Sequence, residues 1–275
     1  RYCRLNVAMG YLALTSNTSG HSNTALGFQA LKANITGDRN VAVGHQALFD
    51  STGDYNTAVG KGALANNIVS ENTALGYATC AANTTGLQNT GIGSYALNNN
   101  VDGDNNTAVG YKALYTFEAD ADGHGENTAV GSEAFYLAST GTQNTAVGYQ
   151  ALRADCTANY NTAIGWNTLK VNTTGLSNTG VGGAALDANV DGSYNAAVGV
   201  NALYAYDPAS NEDSYNVAVG AYAGFSDTVG KLNTFVGGKA ANGLTEGDAN
   251  VAVGTYALDA SSGTGDDNVA VGNQA

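Results

Sequence analysis

Carboxylates separated by single residues lie in a glycine-rich segment, a pattern that could bind a metal ion. Asp120, Asp122 and Glu126 fall in the segment DADGHGE. Acidic residues two positions apart beside a glycine can wrap around Ca²⁺. The segment does not match the longer EF-hand loop, which ends in a placed glutamate, and acidic glycine turns are usually only solvated turns. Calcium at these three residues is therefore one interpretation beside that of a solvated turn, and no firm metal site or other cofactor is predicted.

Aromatic side chains follow a recurring glycine and could contact a ligand or a partner. Exposed aromatic rings can stack on the faces of sugars or anchor another protein. The alternative is that they shield a neighbouring leucine column from water. Ser94, Ser132, Gly183 and Gly238 interrupt the series, so no unbroken binding stripe is predicted. The candidate binding residues are Tyr11, Phe28, Tyr77, Tyr111, Tyr149 and Trp166.

Residues for catalysis do not form a recognisable pattern. His21, His45 and His124 have no serine or cysteine at the spacing of a catalytic site. The glycine-rich words are not followed by Gly-Lys-Ser or Gly-Lys-Thr, so they do not match a phosphate-binding loop. The three cysteines have neither metal-site spacing nor the pattern of a disulfide framework. The sequence therefore predicts that this segment is not an enzyme.

Composition excludes several classes of protein. The chain has 275 residues, of which 12% are charged, and its net charge is -13. Nucleic-acid binding is not expected, because phosphate contacts need cationic side chains. The 37 glycines have no strict three-residue period, which excludes collagen. No run of about 18 apolar residues occurs, so direct membrane insertion by this segment is not expected.

An internal repeat fills the chain. The word Asn-x-x-x-Gly, with an aliphatic fourth residue, occurs sixteen times, most often at steps of 17 residues and twice at 21. We number the positions of a cycle as columns, with the asparagine in column 1. The glycine is then column 5, the aromatic series is column 6, and column 9 is mostly leucine. The predicted structural ladder includes Asn23, Asn40, Asn56, Asn72, Asn89 and Asn106, and Gly27, Gly44, Gly60, Gly76, Gly93 and Gly110.

Column chemistry predicts an all-β fold. In Thr-Ala-Val-Gly, β-branched residues alternate with small ones at period two, so Thr and Val share one face of a strand. A second extended piece is expected for the Ala-Leu pair of columns 8 and 9. One cycle cannot bury its own Val and Leu, but stacked copies can. The sequence therefore predicts a parallel β-solenoid of about sixteen 17-residue rungs, about 4.8 Å apart.

Two ladders are expected to follow from this stacking. The asparagine column is predicted to form a ladder of side-chain amides, each bonded to the next. Two reasons could explain why column 5 is always glycine. It can supply a positive φ at a corner, or it can allow another backbone to approach closely.

A longer period is superimposed on the cycle. Residues 72–160 align with residues 161–249 at a shift of 89, within one solenoid that spans residues 1–275. The two 21-residue cycles contain insertions at 115–126 and 204–215, which are predicted to project as loops and make specific contacts. Both ends of the chain fall inside a cycle, so we expect a fragment of a longer chain.

The strand words resemble the YadA-like head repeats of trimeric autotransporter adhesins. The resemblance rests on NVAVG at residues 40–44 and NTAIG at residues 161–165, and it covers essentially the whole chain. The phrase NTAVGYQAL is also similar to repeats of phage tail fibres and large bacterial surface adhesins. The resemblance implies a left-handed β-roll, three chains side by side and a role in attachment. The 17-residue cycle is longer than the family's usual one.

These observations lead to one expectation of function and two alternatives. The first is an extracellular structural and adhesive fibre segment at the cell surface, a homotrimer or polymer that binds a host-cell, matrix or glycan receptor. The second is the shaft of a phage or injection-machine tail fibre, located on the virion. The third is the subunit of a self-assembling extracellular filament.

Overall fold

The computed structural model describes residues 5–117, 125–154, 156–208, 213–259 and 263–275. Asp120 and Asp122 of the calcium candidate lie outside these ranges. So do residues 118–124 and 209–212, which belong to the two predicted loop insertions.

Sixteen strands of three residues, one for each coil, form the regular structure, and the described residues contain no helix. The unit Arg1–Thr142 holds the first eight strands and the unit Gln143–Ala275 the others. The strands of the first unit are β1 (Val7–Met9), β2 (Thr24–Leu26), β3 (Val41–Val43), β4 (Thr57–Val59), β5 (Thr73–Leu75), β6 (Thr90–Ile92), β7 (Thr107–Val109) and β8 (Thr128–Val130). Those of the second are β9 (Thr145–Val147), β10 (Thr162–Ile164), β11 (Thr179–Val181), β12 (Ala196–Val198), β13 (Val217–Val219), β14 (Thr234–Val236), β15 (Val251–Val253) and β16 (Val269–Val271).

Consecutive strands within each unit pair in parallel and in register. Thr90 of β6 is the partner of Thr107 of β7, one cycle later. In the second unit, Thr162 of β10 pairs in the same way with Thr179 of β11. The predicted all-β parallel solenoid is confirmed, with about fifteen to sixteen coils. Its handedness and its trimeric state stay predictions.

The strands bury only their middle residue. Ala25, Ala42 and Ala58 of column 3 are fully buried, whereas the flanking side chains of columns 2 and 4 face outward. Thr and Val do share one face, as predicted, but the expectation that stacking buries the valine column was wrong. A three-residue strand directs only one side chain inward, and Ala, Leu and Asn fill the narrow interior.

The leucine column lies in turns rather than in a second strand, so that expectation was also wrong. Leu31 and Leu169 are fully buried, with φ values of +49° and +51°. A left-handed residue other than glycine costs about 1–2 kcal/mol. Hydrogen bonds between coils accompany the turn, since the Leu31 N–H donates to the Ala47 carbonyl at 3.0 Å. Burial of leucine and these bonds together offset the strain.

The interior includes residues that the sequence placed in the insertions. Phe117 and Tyr206 are fully buried. They stand in column 12, where several coils have a buried asparagine such as Asn34 or Asn172. In the segments 115–126 and 204–215, Phe117 and Tyr206 therefore belong to the core rather than to projecting loops.

Both copies of the 89-residue repeat contain the same pair of substitutions in the core. Gly91 and Gly180 replace the alanine of column 3, and Thr79 and Thr168 replace the alanine of column 8 in the preceding coil. A Cβ at Gly91 would lie 2.6 Å from Thr79 Cγ2, and one at Gly180 would lie 2.5 Å from Thr168 Cγ2. Each threonine methyl thus occupies the space left by the glycine of the next coil.

Candidate functional site

The asparagine column is a buried ladder that joins successive coils. The backbone N–H of Asn40 donates to Asn23 Oδ1 at 2.9 Å. Asn23 Nδ2 donates across its own coil to the Gly37 carbonyl oxygen at 2.8 Å. The same arrangement recurs at Asn56 and Asn89. In these coils the ladder alternates side chain and backbone, because the Nδ2 group has an acceptor in its own coil. The predicted bond from one side-chain amide to the next is confirmed in part, since it occurs from Asn106, Asn195, Asn250 and Asn268 to the asparagine of the preceding coil.

The glycine column combines the two reasons that the sequence left open. Gly27 has a φ of +140°, which L-residues rarely adopt. A Cβ at Gly27 would also lie 2.4 Å from the carbonyl oxygen of Gly44 in the next coil. The ladder and the glycine column are structural, and neither presents a group for chemistry.

A buried carboxylate interrupts the asparagines of column 12. Asp227 is fully buried, and its Oδ1 accepts the Gly230 N–H at 2.8 Å, as Asn34 Oδ1 accepts the Gly37 N–H. Burial raises the pKa of Asp227 from 3.8 to about 7, and the charge of Asp248 adds to this, whereas the bonds from Gly230 and Asn233 oppose it.

This pKa predicts stability that falls with rising pH. The folded state holds the Asp227 proton that the unfolded state loses near pH 4, so the stabilisation is complete below pH 4 and lost as the pH rises through 7. Between pH 4 and pH 7 the free energy of unfolding should fall by about 1.4 kcal/mol per pH unit. An asparagine in this position does not ionise, so Asp227→Asn should remove this pH dependence. It should raise the free energy of unfolding by about 2–4 kcal/mol at pH 8. Urea unfolding from pH 4 to pH 8 measures the difference.

The exposed Asp50 supplies the control for this prediction. Asp50→Asn should leave the pH profile of unfolding unchanged. If the free energy of unfolding changed with pH in the same way in the wild type and in Asp227→Asn, this result would contradict a raised pKa at Asp227.

The structure does not assemble a metal site from the residues it describes. Of the calcium candidate, only Glu126 falls in a described range, and its backbone N–H donates to the Asp104 carbonyl at 3.0 Å. Asp104 Oδ1 itself accepts the Leu87 N–H at 2.7 Å. Among the described residues, no three His, Cys, Asp or Glu side chains group closely enough to hold a metal ion.

The six aromatic candidates of column 6 are all exposed. Tyr11 stacks on Phe28 with 5.6 Å between ring centroids, and Phe28 stacks on His45 at 4.9 Å. Tyr77 contacts the edge of Tyr95 at 5.1 Å. Tyr111 lies under the Lys112 ammonium, 5.3 Å from its ring centroid. The candidates do not form one stripe. They are Tyr11, Phe28, Tyr77, Tyr111, Tyr149 and Trp166.

A second set of rings was missed from the sequence. Tyr95, Tyr115 and Tyr136 form a ladder, with centroids 6.3 Å apart for the first pair and 5.4 Å for the second. Lys112 lies over the rings of Tyr115 and Tyr136 at 5.4 and 5.6 Å. Tyr95 stands in column 7, and Tyr115 and Tyr136 stand in column 10. The recurrence of tyrosine in column 10 of two successive coils was the signal that could have revealed the last two.

The outward strand face is uncharged, with an apolar side chain at every position of column 4 and mostly threonine in column 2. Columns 2 and 4 consist of Thr, Val, Ala, Ile, Leu and Met. In the first unit, Leu26, Leu75 and Ile92 are 39%, 47% and 37% exposed. Among the described residues, no helix has the length and apolar character needed to cross a membrane.

Comparisons do not place the chain in a family. No family model matches it, and neither the curated proteins nor the solved structures include a match.

Proposed function

We propose that this chain is a structural and adhesive segment of an extracellular fibre, and that three copies associate through the outward faces of their strands. One observation carries the proposal. The aliphatic column of the strands, which a globular protein would bury, faces solvent in the single chain.

The outward face has the chemistry of a contact between copies. Adjacent coils place their column 4 side chains about 4.8 Å apart, which makes a continuous apolar stripe within each unit. Monomeric soluble proteins rarely expose apolar patches larger than a few hundred Å². Identical chains have the same stripe, so burying it between copies needs no second protein.

The repetition of the coils supports an adhesive role. A solenoid presents equivalent surface positions many times, and association into a trimer multiplies them again. Weak contacts to a receptor then add through avidity. A cell surface or another extracellular location is part of this proposal.

A triple substitution on the strand face tests the assembly. Leu26, Leu75 and Ile92 replaced together by glutamate should convert a trimer into a monomer, because charges cannot be buried unpaired in the contact. Sedimentation equilibrium of the full chain measures the mass. The wild type is expected at three times the mass of the chain, and the variant at the mass of one chain.

The matched control lies in a turn column of the same unit. Ile35, Ile68 and Val101 are 48%, 47% and 36% exposed, but they are not on the strand face. Their replacement by glutamate should leave the trimer intact. A monomeric wild type, or equal dissociation by both triple variants, would contradict assembly through the strand face.

A further inference from the structure

A groove in the second unit interrupts the outer surface of four successive coils. Its volume is about 570 Å³, within the range of small-molecule sites. Trp166 lies on it after β10, and Tyr204 and Phe225 lie on it from the coils of β12 and β13. Tyr204 and Phe225 stack with their centroids 5.2 Å apart.

The groove is the place of a missing aromatic ring. At a shift of 89 residues, Trp166 corresponds to Tyr77 and Tyr204 to Tyr115. In the earlier copy Tyr95 lies between these two rings, in contact with both at 5.1 and 6.3 Å. The residue that corresponds to Tyr95 is Ala184, which lines the groove. The flanking rings are thus kept while the ring between them is absent.

The spacing of the flanking rings suits a ring-shaped ligand. Trp166 and Tyr204 belong to coils two steps apart, and two steps of the sheet separate these coils by roughly 9–10 Å. A ring placed between them can contact both flanking rings, as Tyr95 does in the earlier copy, where its plane makes angles of 83° and 79° with those of its two neighbours. Trp166 is 57% exposed, so its indole is accessible from solvent.

Polar groups without partners line the same groove. Asn167 is only 8% exposed, and its Oδ1 has no hydrogen-bond partner. Asp187 Oδ1 is also buried without a partner. Lys170 lies close enough to act on Asp187 electrostatically, although burial remains the larger influence and raises the pKa of Asp187. Buried polar oxygens without partners are costly, and ligand hydroxyl groups can satisfy them.

We propose that this groove, the Trp166 groove, binds one pyranose ring of a neutral saccharide. A pyranose has an apolar face of C–H groups, which stacks on indole and phenol rings, and a rim of hydroxyls. Hydroxyl donors are what the oxygens of Asn167 and Asp187 lack. A planar aromatic ligand would stack equally well but would leave these oxygens unpaired. The biological role of the groove rests on the proposed adhesive function, whereas its binding is measured independently of assembly.

Trp166 is the only tryptophan in the chain, so its fluorescence reports on the groove. The wild type is titrated with cellotetraose, chitotetraose and mannotetraose. Indole is the aromatic comparison, and its binding is measured by saturation-transfer NMR because its own emission overlaps that of Trp166. We expect at least one tetrasaccharide to change the emission saturably, with indole binding at least tenfold more weakly. The absence of a response to all three tetrasaccharides, or tighter binding of indole, would overturn the proposal.

Ala184→Tyr restores the ring of the earlier copy and should weaken saccharide binding at least tenfold. Ala184 and Tyr95 both have positive φ, +55° and +60°, so the backbone accepts tyrosine there. Trp166→Ala, an exposed change, is the second variant, with binding measured by saturation-transfer NMR. Tyr160→Ala is its control, since Tyr160 is a similarly exposed ring of the same unit, at 60%, and does not line the groove; this variant should bind like the wild type. If either Ala184→Tyr or Trp166→Ala bound the saccharide as tightly as the wild type does, this result would refute the site.

The mass of the protein separates this inference from the proposed function. A trimer without saccharide binding would refute only the Trp166 groove. A monomer that binds saccharide would refute only the assembly.

Discussion

Replacing Gly182 by alanine is expected to destabilise the protein by more than about 4 kcal/mol, whereas the same change at the adjacent Gly183 should be close to neutral. Gly182 has a φ of +128°, and a Cβ there would lie 2.6 Å from the backbone carbonyl of Gly199. The clash is with backbone of the next coil, so no side-chain rotation relieves it. At Gly183, the nearest atom to an added Cβ is the Trp166 carbonyl oxygen, at 4.0 Å.

Urea unfolding followed by circular dichroism measures both glycine variants. Gly183→Ala should lie within about 1 kcal/mol of the wild type, with a small gain from the lower entropy of its unfolded chain. Failure of Gly182→Ala to fold also agrees with the expectation, provided that Gly183→Ala folds. Equal stability of the two variants would contradict the close approach of successive coils at column 5.

The second large effect is expected at two core positions in successive coils, where a large side chain of one coil fills the space left by a small residue of the other. Phe235 replaces the alanine of column 3, and Gly224 replaces the leucine of column 9 in the preceding coil. A Cβ at Gly224 would lie 2.6 Å from Phe235 Cδ2 and 2.9 Å from Leu203 Cδ2. Phe235→Ala should cost about 3–5 kcal/mol through a cavity. Gly224→Leu, which restores the leucine usual in column 9, should destabilise the protein by about 1–3 kcal/mol through overpacking.

The double variant decides whether these two costs are coupled. Gly224→Leu combined with Phe235→Ala should be more stable than the sum of the single effects by about 2–3 kcal/mol. The control pairs Phe235→Ala with Gly183→Ala, three coils away, and its effects should add within about 0.5 kcal/mol. Additive effects of Gly224→Leu and Phe235→Ala would contradict the exchange of volume.

The stacking of the coils could be predicted from the sequence because every cycle repeats similar residue types in the same columns. Asn in column 1 and Gly in column 5 mark the register, and the small residue of column 3, such as Ala42, fixes which face turns inward. These features follow from single-column chemistry, so a parallel solenoid was the consistent solution.

Features that depend on contacts between columns could not be predicted in this way. Leu31 lies in a turn at positive φ, a conformation that leucine disfavours and that its burial and the hydrogen bonds between coils together make acceptable. Phe235 fits only because Gly224 is small. The Trp166 groove depends on Ala184, whose significance emerges from comparison with the rings around Tyr95.

Nuclear Overhauser contacts in the uniformly labelled protein test the stacking of coils most directly. Stacked parallel coils should give backbone contacts between residues one cycle apart, from Ala163 to Ala146 on one side and to Gly180 on the other. Contacts of the hairpin type, in which one residue number rises as its partner's falls, would contradict the account. So would helical contacts between residues three or four apart.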